Sequence, residues 1–130
     1  MFAIGTAFGY AAGVRTGLPY RAMTANDWCI DVPASPMYNR IVDRSVAKAG
    51  GLDQSTEPIR RYLLADGDQR YREGFVIEHN RDGAVANGGS CIFAHLWKAP
   101  GEATAGCTAM APDAMAPLLA WLDARRHPVF

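Results

Sequence analysis

The alternation of apolar and polar positions is clearest between Cys91 and Trp97. Period two there puts Cys91, Phe93, His95 and Trp97 on one face of a strand, and Ile92, Ala94 and Leu96 on the other. Tyr71 to His79 reads as a second strand, with Phe75 and Ile77 on one side and Val76 and Glu78 on the other. Between the two, Asn80-Arg81-Asp82-Gly83 and Asn87-Gly88-Gly89 carry turn chemistry. Shorter strands are predicted at Phe2 to Ile4, around Trp28-Cys29-Ile30, and at His127 to Phe130. Gly5, Gly9, Gly13 and Gly17 argue against a long helix near the start.

Two segments carry helical spacing instead. Ile59, Tyr62 and Leu63 predict a helix over Glu57 to Leu64, capped by Ser55 or Thr56, with Pro58 in its first turn. Met115, Leu118, Leu119 and Leu122 predict another over Pro112 to Asp123, flawed by Pro117. Asp31 to Pro36 is a turn by composition, Tyr38 to Val46 a loop with one helical turn, and Lys98 to Ala103 a loop broken by Pro100 and Gly101. Several short strands with two short helices imply an α+β, β-rich fold, and 130 residues fit a single domain, 1–130.

Composition narrows the classes. Hydrophobic residues at 49% and charged residues at 20% suit a chain that buries a core. Net charge is zero with both signs interspersed, so no basic stripe speaks for nucleic acid. No apolar run approaches the roughly 18 residues of a membrane span, so no transmembrane segment is predicted. Met1 to Tyr10 lacks the charged head and continuous apolar stretch of a signal peptide, which by itself predicts a cytoplasmic or already processed chain.

Three cysteines without a C-x-x-C pair make a zinc ribbon or a thioredoxin-type site a poor fit. An odd count permits one disulfide and one free thiol. If Cys107 is the free one, Cys29 and Cys91 are the candidate bridge, closing a loop of about 60 residues worth about 4 kcal/mol. The other reading leaves both as buried thiols that behave as small hydrophobes.

Candidate chemistry gathers at the end of the best strand. His95 precedes Cys107 by twelve positions, across a loop that bears Pro100 and Gly101. An ordinary thiol of pKa about 8.5 is only about 3% thiolate at neutral pH. An imidazole beside it can lower that pKa to about 3.5–7.5, so the pair predicts an activated nucleophile. Gly106 gives the backbone freedom to turn its own N–H and that of Cys107 toward a developing oxyanion. Thr104 is placed to hydrogen-bond within the turn. No Asp or Asn is placed to orient His95, which leaves a backbone carbonyl for that task. His79 is a weaker rival base, and both His79 and His127 read as surface histidines. A His/His/Cys metal site lacks local ligand spacing, and no metal or organic cofactor is expected. Against all of this stands a bland alternative, since a His and a Cys a dozen residues apart also occur by chance.

The blocks around these residues resemble the L,D-transpeptidase family, the YkuD-like cysteine enzymes, and its short ErfK-like branch most of all. Pro33, Ser35, Tyr38 and Asn39 match a Pro-x-Ser-x-x-Tyr-Asn stretch. Gly89, Ser90, Ile92, Phe93 and His95 match Gly-Ser-x-Ile-Phe-x-His. Pro100, Gly101, Thr104 to Cys107 and Met110 match a Pro-Gly loop, then Thr-Ala-Gly-Cys with a Met three residues on. The resemblance implies a YkuD-like mixed β-sandwich with a helix at its rim. It implies acyl transfer on peptidoglycan stem peptides through a Cys107 thioester, at the periplasm or cell wall. His95 would be the base and Gly106 part of the oxyanion hole. Ser90, Trp97, Thr104 and Thr108 are the expected wall of the substrate site.

Three departures stand out. Ala109 occupies a position where many members have an Arg or Asn anchor, and Ala105 one where many have a His. Members of this branch also begin upstream, with a Gly-x-Thr-Pro-x-Gly turn and earlier strands. The chain is therefore expected to be an N-terminally truncated form, less stable than its relatives. Rival functions are L,D-carboxypeptidase hydrolysis with the same pair, and a non-catalytic cell-wall-binding role.

Overall fold

The computed structural model describes residues 1–130 and sets the two best-patterned strands side by side within the larger of two sheets. In chain order the strands are β1 (Ile4–Gly9), β2 (Tyr20–Ala22), β3 (Asp27–Cys29), β4 (Ile41–Asp43), β5 (Glu57–Pro58), β6 (Glu73–Ile77), β7 (Phe93–Leu96) and β8 (Thr108–Met110). One α-helix, α1 (Pro112–Trp121), follows β8. The larger sheet has the order β2-β1-β6-β7-β8 and the smaller β4-β3-β5. Central β6 runs antiparallel to both β1 and β7, and β2 and β8, parallel to β1 and β7 respectively, close the two edges. The fold is β-rich α+β. No helix is long and apolar enough to cross a membrane.

Period two in β6 and β7 builds two apolar layers. Phe75, Ile77, Ala94 and Leu96 pack with Met115, Leu119 and Leu122 from the helical end of the chain. Phe8, Val76 and Phe93 pack on the opposite face with Met23, Cys29, Ile59, Tyr71 and Cys91. The central sheet is therefore buried on both sides, which is why its strands carry so few polar residues.

Several predicted elements are formed differently. β1 does not stop at Ile4 but runs on to Gly9. Its glycines permit close approach: a Cβ on Gly9 would lie 2.6 Å from the Arg72 carbonyl oxygen. No helix forms over Glu57 to Leu64. Glu57 and Pro58 pair with Cys29 and Trp28, and only a 3-10 turn at Arg61–Leu63 follows. Fully buried Ile59 donates its N–H to the Asp27 carbonyl at 3.0 Å, so tertiary pairing outweighs the helical spacing. A two-residue strand at the sheet edge also tolerates a proline, which has no N–H to give. The strands β2, β4 and β8, three residues each, are too short for periodicity to reveal. The chain's last residues form an isolated bridge, Ala3 with Val129, rather than a full strand. Helix α1 keeps Pro117 inside it and ends at Trp121.

Cys29 and Cys91 form a disulfide across 62 residues of sequence, tying β3 to the segment that enters β7. Cys107 is left free.

Candidate functional site

Cys107 is positioned by the parallel pairing of β7 with β8. Ala94 pairs with Thr108 and His95 with Ala109, so Cys107, one residue before the ladder, falls level with Phe93. The Phe93 N–H donates to Cys107 Sγ at 3.4 Å, and the thiol donates to the Cys91 carbonyl at 3.4 Å. Cys107 rests against the apolar layer that contains Phe93 and Tyr71. His95, two residues past Phe93 on the same strand, points to that same face.

The imidazole is held tightly. His95 is 3% exposed, its Nδ1–H donates to the Leu96 carbonyl at 2.7 Å, and the Tyr71 ring meets it edge-on at 5.0 Å. A carbonyl can only accept, so this bond assigns the proton to Nδ1 and leaves the lone pair on Nε2. The orienting group that no Asp or Asn supplies is thus the main chain of the next residue. A backbone atom leaves no mark in the side-chain pattern, so nothing in the sequence points to Leu96.

His95 and Cys107 line one cavity of about 370 Å³. Ser90, Thr104 and Gly106 line it as well. Thr104 Oγ1 donates to the Cys107 carbonyl and accepts from the Gly106 N–H at 3.4 Å, which shapes the turn. The Cys107 N–H makes no hydrogen bond, whereas that of Gly106 is weakly engaged by Thr104. Two expected wall residues lie elsewhere. Trp97 lines a separate surface pocket with Asp68, Arg70 and Lys98. Thr108 lines an apolar pocket of about 250 Å³ behind Gly106 and Ile92, together with Phe2, His79 and Phe130. Period two turns Thr108 away because it is one residue past Cys107, whereas Trp97 lies beyond the end of β7, where the alternation no longer fixes its face. His79 also sits in the rear pocket, away from Cys107, and is no rival base there.

No family model matches this chain, and no curated protein or solved structure does. Its chemistry has to be read from the residues themselves.

A charged group that the spacing did not flag completes the cavity wall: Asp31, Glu57, Arg61 and Arg70, beside Tyr71. The Tyr71 hydroxyl donates to Glu57 Oε1 at 2.7 Å, and Arg61 Nη1 donates to the same oxygen at 3.0 Å. Burial pushes the Glu57 carboxyl above the usual carboxylate range, against the Tyr71 bond. Burial, then the Glu57 charge, push the Tyr71 phenol far up, so it stays a donor. Burial also works to raise Asp31, but hydrogen bonds from Thr56 and Ser55 overcome it and hold that carboxyl low. The only sequence signal for this wall was the i, i+4 spacing of Glu57 and Arg61, which reads equally well as a helix.

Behind the site, Asn39 is 3% exposed with φ +62°. Its amide donates to the carbonyls of His79 and Asn80 at 2.8 and 2.7 Å, and its Oδ1 accepts from the Cys91 N–H at 2.9 Å. Asn39 thereby fixes the backbone of Cys91, whose carbonyl receives the Cys107 thiol.

Proposed function

We propose that this chain is a cysteine acyltransferase with a YkuD-like sandwich, an L,D-transpeptidase that acts on peptidoglycan stem peptides. One observation carries the proposal: free Cys107 shares a cavity with a buried histidine whose Nδ1–H is anchored to the Leu96 carbonyl, which leaves the Nε2 lone pair free to take a proton. The four blocks of resemblance supply the substrate class.

In the proposed reaction, Cys107 Sγ attacks the carbonyl of the L-centre residue that precedes a terminal D-amino acid. His95 Nε2 takes the thiol proton as the C–S bond forms. The unbonded Cys107 N–H receives the oxyanion, joined by the Gly106 N–H once Thr104 is displaced from it. When the C–N bond breaks, His95 returns the proton to the departing amine. An amine of a second stem then attacks the thioester, its proton passes to His95, and the sulfur is released as a thiol. The Cys29–Cys91 disulfide supports an oxidising location such as the periplasm or cell wall.

Intact mass after exposure to a carbapenem tests the proposal. The expected result is a gain of one carbapenem mass on wild type and none on Cys107→Ala. A folded wild-type sample without an adduct overturns it.

A further inference from the structure

We infer that Arg61 recognises the free terminal carboxylate of the donor peptide, so that this chain selects donors whose C-terminus is uncapped. The identity of the peptide rests on the acyl-transfer reading; the preference for a carboxylate rests on the cavity.

Arg61 enters the cavity from the 3-10 turn after β5, with its side chain only 15% exposed. Its guanidinium is incompletely used. Nη1 is bonded to Glu57, but Nε is buried with no partner, and Nη2 makes no bond. The other nearby acid, Asp68, has an oxygen 3.8 Å from Nε, beyond hydrogen-bond reach. Both Asp68 oxygens are already taken by Arg70. The acids of the wall are likewise engaged. Asp31 accepts from Ser55 and Thr56, and Glu57 accepts from Tyr71 and Arg61. Arg61 Nη2 and Arg70 Nη1 are the guanidinium nitrogens of the wall that make no bond, and Arg61 is the more buried of the two side chains. Its guanidinium carbon lies 5.4 Å from the centre of the Tyr71 ring, which restrains the fork.

A planar guanidinium with an unbonded Nη2 in a partly desolvated cavity matches a carboxylate better than any neutral group. Ala109, on the strand that follows Cys107, offers no charge to compete for that role. In the proposed reaction the carboxylate belongs to the residue that leaves, so Arg61 marks the leaving-group side of Cys107.

The probes are two synthetic tetrapeptides ending in L-Lys-D-Ala, one with a free carboxylate and one with a carboxamide. Equilibrium binding to the wild-type chain is expected to favour the carboxylate by about tenfold or more. In Arg61→Gln, with folding verified by a thermal melt, the preference is expected to fall to near unity. Equal affinities in wild type, or an unchanged preference in Arg61→Gln, overturn the assignment. If Arg61→Gln does not fold, Arg61→Lys keeps the charge and loses the fork. The preference should then drop several-fold, and its persistence overturns the assignment. Binding needs no turnover, so it is read independently of the carbapenem adduct. Selective binding without an adduct supports Arg61 while sinking the acyl-transfer reading, and an adduct without selective binding does the reverse.

Discussion

Burial drives both halves of the Cys107–His95 pair toward neutrality. Burial raises the thiol above its ordinary range, although the Phe93 N–H works the other way. Burial lowers the imidazole, with the Leu96 carbonyl opposing. The resting pair is therefore thiol and free imidazole, not the thiolate expected from spacing, and the proton moves only as the sulfur attacks. The rate of Cys107 alkylation by iodoacetamide should still be climbing at pH 9, and a plateau below pH 8 would contradict this. His95 also makes stability depend on pH. Below about pH 6.5 the unfolded chain takes up a proton that the folded chain refuses until lower pH. Stability is therefore expected to drop between pH 7.5 and 5, and less so in His95→Gln, as followed by chemical denaturation at each pH. Asn39 is the residue whose loss should damage the scaffold most. Asn39→Ala leaves the buried Cys91 N–H and the half-buried carbonyls of His79 and Asn80 unpaired and should cost about 2–4 kcal/mol in the same assay.

At the level of elements, the site depends on how closely β6 and β7 approach. Gly74 is paired with His95, and a Cβ there would lie 2.4 Å from the Ala94 carbonyl oxygen and 2.8 Å from Phe8 Cζ. Gly74→Ala must push β7 away or displace Phe8, at a cost of about 1–3 kcal/mol. Because β7 carries His95, the variant should also acylate more slowly with carbapenem. Gly50→Ala is the control, since a Cβ there meets nothing within 4 Å. Equal melting temperatures for the two variants would show that the approach is not tight. The β6–β7 pair was readable because each strand repeats its alternation long enough for both faces to be assigned. β8 was not, although it holds Cys107 in place, because three residues show no period and its position is set by pairing with β7.

Across the whole molecule, the disulfide links the smaller sheet to the strand that carries the candidate base. It spans 62 residues, and closing such a loop restricts the unfolded chain by about 4 kcal/mol. Reduction, or Cys29→Ser, should lower the melting temperature by roughly 15 °C. It should also slow acylation, because the Cys91 carbonyl that receives the Cys107 thiol loses one of its anchors. Melts with and without dithiothreitol, paired with carbapenem adduct rates, check both effects. A reduced sample that melts and acylates like the oxidised one would deny the bridge both roles.

The amino-acid order alone determined what repeats or punctuates locally: the two faces of β6 and β7, the apolar stripe of α1, the turns at Asn80 and Asn87, and the proximity in sequence of His95 and Cys107. Tertiary structure decided what depends on a distant partner. It drew Glu57 and Pro58 out of a helix into pairing with β3, and joined Cys29 to Cys91. It assigned the orientation of His95 to a main-chain carbonyl, and brought Arg61, Tyr71 and Glu57 to the wall of the cavity that the thiol lines. Periodicity and propensity act over one or two turns of chain, and so leave a trace in sequence. Strand partners, backbone acceptors and burial are set by residues tens of positions apart, and that is where the protonation state and the shape of the cavity were settled.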